Sequence, residues 1–360
     1  MKTLKLFPQF ALCVVFLTLA AGCATRSKNT GPKYTFYPPA PDAPRIQYLT
    51  SFSSEKDLRG GGDYSFREFV TGEAAPELPI AKPYGAATSH GKIYVCDTGI
   101  GAIWKLDLQT RRMTPVAARG AAALKTPLNL AIDTDGTLYI ADSGRDEVVI
   151  LDATENLIAT LGGRGQMKPR DVAVTADRIY VADLQGHCVR VYDKATRKAL
   201  FDIPKAADAG NNARRLFQPL NLAVDGAGHL YVSDFGAFRV QVFDADGNFL
   251  RTVGRYGDNI GEFSRVKGVA VDREKHLYAV DSAEQAAQLF DDQGHLLMWF
   301  GDATSPNGVI ELPAKVVVDY DDVPAFARYV APGFKVDYLV IIISQYGPHK
   351  VGVYAFGGKK

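Results

Sequence analysis

A six-residue phrase recurs along the chain: KIYVCD at 92–97, TLYIAD at 137–142, RIYVAD at 178–183, HLYVSD at 229–234 and HLYAVD at 276–281. Its tyrosines, Tyr94, Tyr139, Tyr180, Tyr231 and Tyr278, stand 45, 41, 51 and 47 residues apart. A period of this length marks a supersecondary unit that buries its faces only against further copies of itself. In HLYVSDFGAFRVQVFDADGNFLRTVG (229–254), apolar side chains fall at about every second position, the period of a strand. Between these runs stand FGAF and DADGN, and Asp244, Asp246 and Gly247 suit the tight connection of a hairpin. A strand of the type PLNLAID (127–133) or PLNLAVD (219–225) precedes the phrase, so each unit reads as a four-stranded antiparallel meander.

A degenerate sixth unit follows, in LPAKVVVDY (312–320) and VDYLVIIISQYGPHKVGVYAFG (336–357), with Ser344 where the other units have Asp. Six units of four strands predict an all-β, six-bladed β-propeller. The last unit is one strand short, and PRIQYLTSF (44–52) has the alternation to supply it from the other end of the chain. That strand is expected to complete the last blade and close the ring, hiding two sheet edges. With 47% hydrophobic residues, 34 Gly and 19 Pro, the chain can hold a large core with many turns. Closed β-architectures run long as single domains, so 44–360 is read as one.

The stretches VGRYGDNIGEFSRVKGVAVD (253–272) and LYVSDFGAFRVQVFDADGNFL (230–250) resemble NHL repeats, and the likeness extends over about 44–357. Where such repeats commonly place an Asn after the strand-ending Asp, this chain reads SGRDEV, LQGHCV and FGAFRV. The resemblance implies the propeller fold. It leaves the activity open, since NHL propellers include enzymes, sensor domains and binding scaffolds.

MKTLKLFPQFALCVVFLTLAAGC opens the chain with Lys2 and Lys5, an apolar run from about Phe10 to Ala20, and small residues before Cys23. The run is too short for a permanent membrane span. It resembles a bacterial lipoprotein signal over residues 1–22, which implies lipid on Cys23 and membrane attachment through it. Ala24 is not the Asp of an inner-membrane retention signal, so the expected location is the cell envelope, at the outer membrane. Residues 23–43, rich in Pro, read as a flexible tether. Removing the signal takes two lysines and no acid, moving the formal charge from +1 to −1, which argues against nucleic acid as a partner. Cys96 and Cys188 fall in different blades and read as core thiols.

Aligning the units places Gly85, Asn129, Asp171, Asn221, Gly268 and Lys315 at one first-strand position, ringing the channel mouth. Asn129, Asp171 and Asn221 are oxygen donors suited to a hard cation. They resemble the divalent-metal site of gluconolactonase and paraoxonase propellers, which implies a metal-dependent hydrolase or lactonase as the alternative function. Such sites also use a Glu from the first blade; here the position is Gly85, with Glu77 some residues upstream. No cofactor is expected beyond calcium or another divalent ion at those three residues. Lys315 either repels that ion or pairs with Asp171.

The repeated Asp97, Asp142, Asp183, Asp234 and Asp281 read as loop braces, accepting backbone N–H groups. The unrepeated residues of the mouth, Tyr84, Arg170, Lys267, His187 and His349, form with the ring an aromatic and cationic collar suited to a peptide, glycan or small ligand. Amidating lyases of NHL type are thought to use several histidines around zinc, and His187 and His349 fall on opposite sides of the ring. The insertion DDVPAFARYVAPGFKVD (321–337) carries Phe326, Tyr329, Val330 and Phe334; it is read either as a docking loop for a protein partner or as a cover folded over its own blade. The primary expectation is a lipid-anchored propeller that binds a ligand or protein partner without catalysis.

Overall fold

The computed structural model describes residues 34–60, 78–205, 211, 213–305 and 307–359. They form six antiparallel sheets, five of four strands and one of five, arranged as the blades of a propeller. Blade four shows the plan: Pro219–Val224, Leu230–Asp234, Arg239–Phe243 and Phe249–Val253 pair in chain order from the axis outward. Blades one, two, three and five repeat it over 83–115, 127–162, 169–203 and 266–300.

The two-residue period becomes a packing rule. Leu230 and Val232 pack with Val189 and Val191 of blade three, while Tyr231 between them packs with Val269 and Leu277 of blade five. Both faces of the inner strands are therefore covered, and each of the six junctions between neighbouring blades has its own apolar cluster. Each large side chain buried there contributes roughly 1.5–3 kcal/mol against exposure. At the hairpin turn of blade four, Asp244 accepts the Asn248 N–H at 2.8 Å and Gly247 takes φ +81°, as the turn chemistry requires.

Blade six joins the two ends of the described chain. Pro313–Asp319, Phe334–Ser344 and Val351–Lys359 are followed by Ile46–Phe52, with Ile46 opposite Phe356 and Phe52 opposite Val351. The ring is closed as the alternation of 44–52 predicts. A fifth strand, Thr35–Tyr37, pairs outside it, so the expected tether ends earlier than residue 43. The proline-rich composition hid a three-residue alternation: Thr35 and Tyr37 turn inward, and Phe36 meets the Phe334 ring at 5.6 Å. The signal segment and Cys23 lie outside the described residues.

The 321–337 insertion folds back on its own blade. Val323–Tyr329 is a short 3-10 helix; Phe326 and Phe334 are 2% and 6% exposed, and Tyr329 and Val330 pack partly buried against the same cluster. Gln47 fixes it, donating to the Tyr329 carbonyl at 2.9 Å and accepting the Ala331 N–H at 3.0 Å. The docking-loop reading is corrected accordingly: the apolar side chains cover the blade's own core.

In all six blades the first strand carries a bulge at its start, one extra residue facing the second strand between Pro83 and Gly85 and at the equivalent places. Bulges re-aim side chains, and this one recurs at the channel mouth.

Candidate functional site at the channel mouth

The bulge brings two successive residues of each first strand to the mouth: Tyr84 and Gly85, Leu128 and Asn129, Arg170 and Asp171, Leu220 and Asn221, Lys267 and Gly268, Ala314 and Lys315. The second members form an inner layer. Lys315 Nζ lies 2.6 Å from Asp171 Oδ2, both side chains buried. Blades three and six stand opposite one another in a ring of six, so this ion pair crosses the axis. Asp171 also accepts the Val172 N–H on Oδ1 at 2.8 Å and the Leu222 N–H on Oδ2 at 2.9 Å. Burial pushes the Asp171 carboxyl up, against the pull of the Lys315 ammonium and these N–H groups. Asn129 donates Nδ2 to the Arg170 carbonyl at 3.1 Å; its Oδ1 and both polar side-chain atoms of Asn221 are buried without a hydrogen-bond partner among the described residues.

The glycines of this layer are there for space. A Cβ at Gly85 would lie 2.1 Å from Asn129 Oδ1, and one at Gly268 would lie 2.6 Å from Lys315 Cα. No fourth ligand fits at Gly85 while Asn129 holds its place, and Glu77 lies outside the described residues. The donor set does not suit a divalent cation. Its single carboxylate is already engaged by an ammonium, which supplies the positive charge a metal would bring. Among the described residues, no three His, Cys, Asp or Glu side chains group as metal ligands.

Above this layer, Tyr84 packs with Leu128 and Ala314 as a small apolar wall. Two cations converge on the Tyr84 ring: Arg170 Cζ is 5.6 Å and Lys267 Nζ 5.9 Å from its centroid. Arg170 Nη2 donates to the Tyr84 hydroxyl at 3.3 Å, while Arg170 Nε is buried without a partner among the described residues. Burial, with the charges of Arg170, Arg265 and Lys82, pushes the Lys267 ammonium down to about 8, Asp281 pulling the other way. Further out, Tyr346 is exposed beneath Lys82 and Lys350, each 5.7 Å from its ring.

The repeated aspartates serve the backbone. Asp97 accepts the N–H groups of Ala81, Lys82 and Gly99, and Asp142 those of Lys125, Thr126, Gly144 and Arg145. Asp183 and Asp281 repeat the arrangement, tying the segment before the first strand to the turn after the second, and Asp234 holds that preceding segment through the Phe217 and Gln218 N–H groups. In blade six Ser344 substitutes, accepting the Glu311 N–H at 3.2 Å.

The histidines stand apart from this chemistry. His187 is exposed and hydrogen-bonds the Phe217 carbonyl at the seam between blades three and four. His349, expected at the mouth, instead reaches the outer strand: its Nδ1 is 2.7 Å from Ser51 Oγ. The turn 345–350 is long enough to carry it over the third strand, and burial there lowers its pKa. Cys96 and Cys188 are free buried thiols, pushed up by burial, the second to about 12.

Residues 218–243 match the family model described as NHL repeat. The chain carries an NHL repeat. Solved structures similar to this propeller include a streptogramin B lyase, at TM-score 0.53 and 13% identity over 78% of this chain and 84% of that one. A virginiamycin B lyase from Staphylococcus aureus aligns at TM-score 0.52 and 12% identity over 76% and 81%. A protein of unknown function from Bacteroides thetaiotaomicron aligns at TM-score 0.58 and 15% identity over 86% and 75%. Likeness at this identity establishes the shared fold. No curated protein matches the chain.

Proposed function

We propose that this NHL propeller is a binding module without catalytic activity, held at the bacterial outer membrane by lipid on Cys23, and that its ligand or protein partner sits on the mouth. The observation that carries the reading is the axial ion pair. Asp171 and Lys315 are the acid and the amine at the centre of the mouth, and each is bound to the other, so neither is free to act as a general base or a metal ligand. Around them, Arg170 and Lys267 have no carboxylate partner among the described residues, while the exposed Tyr346 offers a ring face for contact.

A photo-crosslinking amino acid at exposed Arg265, on the mouth, and another at exposed Glu274, on the far face, test the reading in cells. A discrete adduct from the first position and none from the second is expected. A purified full chain that hydrolyses lactones or esters, with chelator abolishing the activity, would establish the hydrolase alternative instead. Labelled palmitate should enter the wild-type chain and not Cys23→Ala; label in neither removes the anchor.

A further inference from the structure

We infer that the mouth is an anion site, in which Arg170 and Lys267, converging over the Tyr84 ring, receive the carboxylate of an organic ligand. The inference rests on the mouth being where this propeller binds. Like charges from blades three and five are brought to one ring of blade one, an arrangement that a bound anion stabilises and an empty mouth does not. The nearby acids are committed elsewhere. Asp171 is paired with Lys315, and Asp281 accepts the N–H groups of Ser264, Arg265, Ala283 and Glu284. Donors are left over: Arg170 Nε is buried without a partner, and the Asn221 amide, 0% exposed, is unpartnered in the layer below.

The surroundings choose the kind of anion. Tyr84 Oη holds one arm of the Arg170 guanidinium and sets the plane of its fork, which matches a carboxylate through two parallel N–H bonds. Tyr84, Leu128 and Ala314, all buried, form the floor that holds the two cations in place. Arg265 and Lys82 add positive field at the approach.

The full chain with 13C-methylated lysines provides the test, the Lys267 signal being assigned from its loss in Lys267→Gln. The probes are valerate, a glutamate-rich peptide, valeramide and inorganic phosphate. Valerate or the peptide should move the Lys267 signal and raise its pKa, and valeramide should do neither. A response to valerate alone names a small acid as the source, and a response to the peptide alone names a protein carboxylate. Arg170→Gln, read at the Lys267 signal, and Lys267→Gln, read by direct titration of the ligand, should each weaken binding at least roughly tenfold with the unfolding midpoint no lower than that of the wild type. A phosphate response as strong as that to valerate overturns the carboxylate assignment, and silence to all anions overturns the site. If a mouth crosslink survives in the Arg170→Gln, Lys267→Gln double variant, the anion site falls and the binding reading stands; if no mouth crosslink forms in any variant, the binding reading itself falls.

Discussion

Asp142 and Asp171 are both fully buried carboxylates near one end of the propeller, yet they are held in opposite ways. Asp142 belongs to a set of five and is held locally, by the N–H groups of residues that flank its own blade. Asp171 has no counterpart in the other blades and, beyond the Val172 and Leu222 N–H groups, is held from across the ring by a lysine 144 positions away. A repeated side chain solves a problem that every blade has. An unrepeated one depends on what the remaining blades bring to it, and so marks where the molecule as a whole has a centre.

The largest effect that would break this contrast is at the pair. Lys315→Met should cost about 3–5 kcal/mol in urea denaturation, because it leaves the Asp171 carboxylate buried without its counter-charge. Adding Asp171→Asn should restore most of that loss. A double variant as unstable as the single one would show that the ion pair is not what holds the centre together.

At the repeated set, Asp142→Ala should cost about 2–4 kcal/mol, by stranding several backbone N–H groups at once. Asp281→Ala should match it closely, since the two aspartates make equivalent bonds. Unequal losses at these two positions would undo the claim of local equivalence.

Lys267 sharpens the contrast through pH. Its folded pKa, about 8, lies below that of a free lysine, so the charged form is disfavoured in the fold. The penalty is fully present below pH 8. It is relieved as pH rises from 8 towards the ordinary lysine range, where the folded protein has lost a proton that the unfolded chain still holds. Stability should therefore climb over that window in the wild type and stay flatter in Lys267→Met. Affinity for a carboxylate should run the other way, full below pH 8 and falling above it.

The smallest effect is expected far from the mouth. Burial, with Asp319 and Asp321 nearby, pushes the Asp322 carboxyl up to about 7, against the pull of the Gly91 N–H. Between the ordinary carboxylate range and pH 7 the folded chain holds a proton that the unfolded chain has released, so this group lowers stability as pH rises. Asp322→Asn should gain up to about 1 kcal/mol at pH 8 and make no difference at pH 4.

The blades were legible because a two-residue period is a statement about faces: Tyr231 and its neighbours could sit only on opposite sides of a sheet. The centre was partly legible. Aligning six repeats puts Asp171 and Lys315 at equivalent points of opposite blades, which is why a pairing between them can be entertained without coordinates. Bringing Arg170 and Lys267 to the ring of Tyr84 was not legible, because it depends on how the bulge aims three side chains from three blades. His349 went astray through turn length. Phe326 and Phe334 were ambiguous because a docking loop and a cover have the same composition, and the choice rests on Gln47, 284 positions from Ala331.

The closure of blade six also sets an order of assembly. Blades one to five can each form once their own residues have emerged, but Ile46–Phe52 finds its neighbour only when Val351–Lys359 exists, and Ser53 meets Lys350 across 297 positions. One of the first strands to be made is thus among the last to be paired. Until then Ile46, Leu49 and Phe52 stay in water along an open edge, and the wait for that distant partner sets both the pace of folding and the interval in which the chain is exposed to aggregation.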